Sequence, residues 1–176
     1  MKPQLVLSSF REALGSRVLE DRTIERTVGN IDPKPVYDLW VVVDRATFRD
    51  AVEHLCAEME PHLSVISGED LGDGGLALNY HFSTGWGERY GEATVTIRTI
   101  LPKNDLTIPT ITDLIPGAQT AEREKREFFG IDVVGIPDAR NLFLPEEMTI
   151  HPWRNDQEEE TKGSVKRLVK WEGRHE

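Results

Sequence analysis

The chain has 176 residues, a formal net charge of −10, 38% hydrophobic and 30% charged residues. That length suits one core-bearing domain with a tail, and the acidity argues against nucleic acid as a partner and against direct docking on anionic lipid. Cys56 is the single cysteine, which excludes an internal disulfide and a cysteine-ligated iron–sulfur or zinc site within the chain; it is expected to be a buried thiol.

No apolar run approaches the length of a membrane span, and residues 1–7 lack the apolar stretch and cleavage site of a secretory signal. A soluble, cytoplasmic protein is expected, with any membrane association running through other subunits. Residues 3–14 read as an opening helix with Leu5, Val6, Ser9, Phe10, Ala13 and Leu14 on one side and Gly15 as its stop. Residues 17–28 alternate imperfectly and are assigned to a strand. Asp32-Pro33-Lys34-Pro35 is turn chemistry. The near-continuous apolar run over residues 37–43 predicts a central strand covered on both faces. Asp44 is placed to cap the next helix, in which Phe48, Ala51, Val52, Leu55, Cys56 and Met59 recur at helical spacing until Pro61. Residues 63–66, 75–82 and 93–101 read as three more strands, with Gly68, Gly72, Gly74, Gly85, Gly87 and Gly91 at the turns. This order predicts an α+β domain over residues 1–145, a mostly antiparallel sheet with helices packed on one face. An extended charged tail, 146–176, follows; Trp153 and Trp171 are the kind of bulky aromatic that anchors an interface.

Residues 116–131 form a short helix between Pro116, suited to a first turn, and Gly130, suited to the left-handed position past the end. At 100° per residue Ala118, Ala121, Phe128 and Phe129 share the core side, Lys125 falls in its middle with Glu122 and Glu124 flanking it, and Arg123, Arg126 and Glu127 point away. Two readings stand side by side: a solvated surface helix laced by pairs such as Glu122 with Arg126, or a set of charges that meets a partner protein.

Recognisable catalytic patterns are missing. His54, His62, His81, His151 and His175 are scattered without metal-ligand spacing, and no nucleophile elbow, Walker loop or dinucleotide fingerprint occurs. Residues 71–75 are glycine-rich but join two strands, as a hairpin turn. Glu122 and Glu124 lie about 160° apart around a helix, so they do not embrace one small substrate. Asp138 and Arg140 fit a locally paired turn as well as a contact loop.

The ordered run Glu122-Arg123-Glu124, Phe129-Gly130-Ile131, Gly135, Pro137-Asp138, Arg140 and Leu144-Pro145, followed by Pro152-Trp153-Arg154-Asn155-Asp156, resembles the signature of the C-subunit, or 30-kDa-subunit, family of respiratory complex I and related membrane-bound hydrogenases. The resemblance covers residues 108–156. The chain departs from it at Glu127 (usually Asp), Ile136 (His), Asn141 (the second Arg of a pair) and Thr120 (an aromatic), which favours a divergent, hydrogenase-type or hydrogenase-derived complex. The resemblance implies an accessory subunit with no cofactor of its own. It would clamp a hydrogenase-like large subunit and support a small iron–sulfur subunit, with iron–sulfur clusters and, in the hydrogenase branch, a nickel–iron centre held by those partners. The interface residues it implies are Glu122, Arg123, Glu124, Phe129, Gly130, Asp138, Arg140, Pro145, Trp153 and Arg154. Two other readings remain: a free-standing small enzyme with an acidic pocket of Glu122 or Glu124 and His81 or His151, and an acidic module for a basic partner protein.

Overall fold

A computed structural model describes residues 3–85, 92–145, 148–157 and 159–163. Gly87, Gly91, His175 and the tail aromatic Trp171 lie outside the described residues. Helix α1 (Pro3–Leu14) buries Val6, Phe10 and Leu14 at a four-residue spacing. Leu5 and Ala13, assigned to that side from the sequence, face solvent, while Leu7 and Ser9 flank the buried row half-buried. Strands β1 (Val18–Val28) and β2 (Lys34–Val43) then form an antiparallel hairpin.

Asp44 Oδ1 accepts the Thr47 N–H at 2.7 Å, fixing the turn into helix α2 (Phe48–Glu58). That helix buries Phe48, Ala51, Val52 and Leu55. Cys56 is half-buried rather than buried, and its partial desolvation pushes the thiol pKa up. Three strands follow: β3 (His62–Asp70), β4 (Leu76–Thr84) and β5 (Ala93–Leu101). Among the described residues the sheet has five strands in the order β1-β2-β5-β4-β3. Only β2 and β5 run parallel; the other neighbours are antiparallel.

Tyr37, Leu39, Val41 and Val43 alternate inward, and the first three pair with the buried row Ala93, Val95 and Ile97 of β5. The expectation that β2 is covered on both faces is therefore corrected. It lies inside the sheet, but Trp40 and Val42 are half-exposed on the other face, where the Arg22 guanidinium sits 4.7 Å from the Trp40 ring centre. Gly68 is also corrected: it lies within β3, which runs four residues past its expected end, and not at a turn.

Helix α3 (Ala118–Phe129) joins α1 and α2 on the buried face of the sheet. Phe48 of α2 meets Tyr80 at 4.6 Å between ring centres, and the Phe129 ring lies on Gly68 so closely that a Cβ there would be 2.4 Å from it. The opposite face carries a polar ribbon. His81 bridges Ser67 (2.8 Å) and Thr96 (2.9 Å), and Arg98 donates to Asn79 at 2.9 Å. One covered and one open face is the usual state of an antiparallel sheet. Strands β6 (Thr107–Pro109) and β7 (Asp132–Val134) pair in parallel beside α3. At three residues each they are too short to show a period, and the sequence reading misses them.

Candidate functional site

Helix α3 ends as its sequence predicts. Gly130 adopts φ 71°, and its N–H donates to Arg126 O at 3.0 Å. What its charged side chains do differs from the helical-wheel reading. Glu122 is 1% exposed. Its carboxylate accepts the Thr110 hydroxyl at 2.5 Å and the Ile111 N–H at 2.9 Å, which ties the loop after β6 to the helix. Burial raises the Glu122 pKa, opposed by these two bonds.

Arg123 and Glu127, expected to point away, reach one loop from successive turns. Arg123 donates to the carbonyls of Arg140 and Asn141, each at 3.0 Å, and lies 3.4 Å from the Asp138 carboxylate. Glu127, 3% exposed, accepts the backbone N–H groups of Leu142 (2.8 Å), Phe143 (3.0 Å) and Leu144. Three successive amides around one carboxylate make a small anion nest, and this arrangement corrects the placement of Glu127 on the solvent side. Within the loop, Asp138 takes the Arg140 N–H at 3.0 Å and its guanidinium at 2.8 Å, which holds the Asp138 carboxyl well below the usual carboxylate range.

Lys125 is buried, as its place in the apolar stripe requires, and it is partnered. Its Nζ donates to Glu124 at 2.8 Å and lies 4.6 Å from the Trp153 ring centre. Trp153 stacks on Phe128 at 4.4 Å and meets Phe129 edge-on at 5.3 Å. The chain after Met148 returns to the helix terminus. His151 Nδ1 donates to Glu127 O (2.8 Å) and Trp153 N–H to Phe128 O (3.0 Å), so two of the open C-terminal carbonyls are satisfied. Gly130 is required twice over, by its left-handed backbone and because a Cβ would lie 2.5 Å from the His151 ring. Arg154 pairs with Asp156 at 2.6 Å and approaches Asp70 at 3.8 Å.

Of the residues singled out from the sequence, Glu122, Arg123, Glu124, Asp138, Arg140 and Arg154 thus all have partners inside the chain. Phe129 is in the core, and Gly130 closes the helix. Arg140, Pro145 and Trp153 are exposed. Phe143, which the sequence reading passes over, is 67% exposed and stands 6.1 Å from Phe128 across a ring contact. Its signal was present as an aromatic inside a turn-rich, charged loop. Glu122, Glu124, His81 and His151 are not brought together: His81 lies on the open face of the sheet, while Glu122 is buried behind the other. Among the described residues no group of His, Cys, Asp and Glu has a metal-binding arrangement, and no helix is long and apolar enough to cross a membrane.

The family profile described as "Respiratory-chain NADH dehydrogenase, 30 Kd subunit" matches residues 41–162. NADH-quinone oxidoreductase subunit 5 of Thermus thermophilus is 32% identical over 134 residues, 72% of this chain and 64% of its own length, so the chain spans about two thirds of that relative. The membrane-bound hydrogenase subunit beta of Pyrococcus furiosus is 32% identical over 136 residues, 75% of each chain. Among solved structures, the trypsin-resistant fragment of Nqo5 aligns with a TM-score of 0.57 at 27% identity, over 78% of this chain and 99% of that one. A chain of the archaeal membrane-bound sulfane sulfur reductase shares the fold, with a TM-score of 0.67 at 20% identity over 93% and 90%. With most of its length matched in sequence and in fold, the chain belongs to the 30-kDa-subunit family of the respiratory-chain NADH dehydrogenase.

Proposed function

We propose that the chain is a non-catalytic accessory subunit of a membrane-associated, multi-subunit redox complex, of the complex I or membrane-bound hydrogenase type. Family membership over residues 41–162 carries this reading. In it the subunit holds a hydrogenase-like large subunit and a small iron–sulfur subunit in register, on the cytoplasmic side, and reaches the membrane only through them. Iron–sulfur clusters, and a nickel–iron centre in a hydrogenase-type complex, belong to those partners. The chain then affects turnover by fixing the geometry between centres it does not hold.

The internal pairing of the Glu-Arg-Glu helix supports a reading in which a partner is met by the loop and the returning chain rather than by the helix charges. Glu122, Arg123 and Glu127 act as scaffolding, and the surface they present is Arg140, Phe143, Pro145 and Trp153. Exposed aromatics beside an arginine are the composition of an interface centre.

The test is to tag the chain, solubilise membranes in mild detergent at high salt, and identify the proteins that co-purify. Recovery of a hydrogenase-like or quinone-type large subunit with iron–sulfur proteins supports the reading. Elution of a lone monomer from the soluble fraction overturns it.

A further inference from the structure

Residues 151–157 lie across the domain as a strap held at its two ends. The first end is tied to α3, by the His151 and Trp153 bonds to the carbonyls of Glu127 and Phe128 and by the Trp153 ring on Phe128. The second end, residues 154–157, is tied to the end of β3. Among the described residues, every hydrogen bond and ion pair from it to the sheet ends on one residue, Asp70. Asp70 Oδ2 accepts the Asn155 N–H at 2.8 Å, and the Asp70 carbonyl accepts Asn155 Nδ2 at 3.2 Å. Arg154 Nε lies 3.8 Å from the same carboxylate. The other carboxylate oxygen accepts the Gly72 N–H at 2.9 Å, which fixes the Asp70 side chain against its own turn.

Packing does not hold the second end down. A groove of about 620 Å³ separates the strap from β3, with Ile66, Gly68 and Phe129 on one side and Trp153, Arg154 and Asn155 on the other. Residues 154 and 155 thus span open volume, and closure depends on the Asp70 bonds. Closure in turn decides where Trp153 stands. Its ring lies 4.4 Å from that of Phe128, and Phe128 lies 6.1 Å from Phe143. Strap, helix and loop each contribute one ring to a single aromatic row.

We infer that Asp70 is a positioning residue for partner binding: it holds residues 151–157 shut, so that the row of Phe143, Phe128 and Trp153 is assembled before a partner subunit arrives. The inference rests on the reading of the chain as a subunit. A surface ordered in advance spares the complex the cost of ordering it, and a chain with the strap open binds only through its closed fraction. Asp70 acts through the strap alone. It lies upstream of residues 108–156, where the resemblance to the family signature falls.

Asp70→Ala in the full chain removes both carboxylate acceptors and tests this in two steps. In the isolated chain, trypsin reaches the bond after Arg154 through the open strap, and losing a charged acceptor raises that cleavage rate about tenfold or more. The domain's melting temperature changes little, because local opening is separate from global unfolding. In detergent-solubilised membranes the variant then co-purifies with less of the large subunit than wild type, in proportion to the closed fraction. Asn155→Asp leaves β3 and its turn intact and sets a second carboxylate against Asp70. It opens the strap from the other side, read as faster hydrogen exchange over residues 151–157, and lowers recovery likewise; it decides the question where Asp70→Ala fails to fold. Unchanged cleavage and exchange in these variants overturn the inference and leave the subunit role standing. An opened strap with wild-type recovery of partners also overturns it, since the strap then positions nothing they need. A wild-type chain that recovers no partner overturns the subunit reading, and the positioning role with it.

Discussion

Replacing Glu127 by glutamine tests whether the helix and its loop are held by one carboxylate. The side chain is 3% exposed and accepts N–H groups from Leu142, Phe143 and Leu144. Hydrogen bonds to a charged group contribute about 1.5–3 kcal/mol each. The glutamine carbonyl oxygen can keep two of the amides, as weaker neutral bonds. Its NH2 group faces the third, donor against donor. Losing one charge-assisted bond and weakening two gives a cost of about 2–3 kcal/mol for Glu127→Gln, and Glu127→Ala, which frees all three amides, costs about 4 kcal/mol. For a chain of this size each kcal/mol lowers the melting temperature by about 2–4 °C, so Glu127→Gln melts roughly 4–12 °C below wild type. Thermal unfolding followed by circular dichroism measures the first quantity, and amide exchange over residues 142–144 measures the local one. A Glu127→Gln chain that melts within a degree of wild type, with unchanged exchange at those amides, refutes the claim that this carboxylate holds the loop.

Three further outcomes follow from other sites. Among the described residues Thr99 Oγ1 is buried without a hydrogen-bond partner, so the isosteric Thr99→Val raises stability by about 1 kcal/mol in urea denaturation; a loss would show that the hydroxyl has a partner. Gly68→Ala places a Cβ 2.4 Å from the Phe129 ring and costs about 1–3 kcal/mol, part of which Phe129→Leu in the same chain restores; additive losses would refute that contact. His81 has its pKa lowered from the ordinary 6.5 by burial, so the unfolded chain binds the proton first. Its neutral form contributes stability above about pH 6.5 that falls away as the pH drops toward the folded-state pKa. Ring titration by NMR shows a midpoint below 6.5, and a midpoint above it would contradict the assignment.

The parts of the fold legible in the sequence are those with a local period. Phe48, Ala51, Val52 and Leu55 specify α2 unaided, and Gly130 marks the end of α3 because few other residues adopt its backbone. What was not legible depends on partners distant in the chain. The run Leu39-Trp40-Val41-Val42-Val43 reads as doubly buried, but nothing in the run says that only one face receives helices. Gly68 resembles a turn glycine until Phe129, sixty-one positions on, is laid across it. Glu127 sits on the outer side of an isolated helix and becomes buried only when the loop from Asp138 to Pro145 closes over it. A helical wheel assigns direction, and burial is decided by what arrives there.

The departures from the family signature make sense once the endpoints of these bonds are considered. From α3, Arg123 reaches the carbonyls of Arg140 and Asn141, Glu127 reaches three backbone amides, and Glu122 reaches the Ile111 amide. Apart from the Thr110 hydroxyl on Glu122 and the Asp138 carboxylate beside Arg123, these bonds start on a helix side chain and end on loop backbone. Such a bond is indifferent to the side chain the loop residue carries. Asn141 stands where the signature has a second arginine, yet its carbonyl takes Arg123 at 3.0 Å and its amide donates to Pro145 O at 3.3 Å. Ile136, in place of histidine, packs against the core from a half-buried position. At 127 the longer glutamate still fills its amide nest. The helix side chains that make these bonds are constrained by geometry, whereas most of their loop partners are backbone groups, and Phe143 and Arg140 project from that loop. A scaffold built in this way keeps the loop's path while leaving its outward residues open to match a different neighbouring subunit.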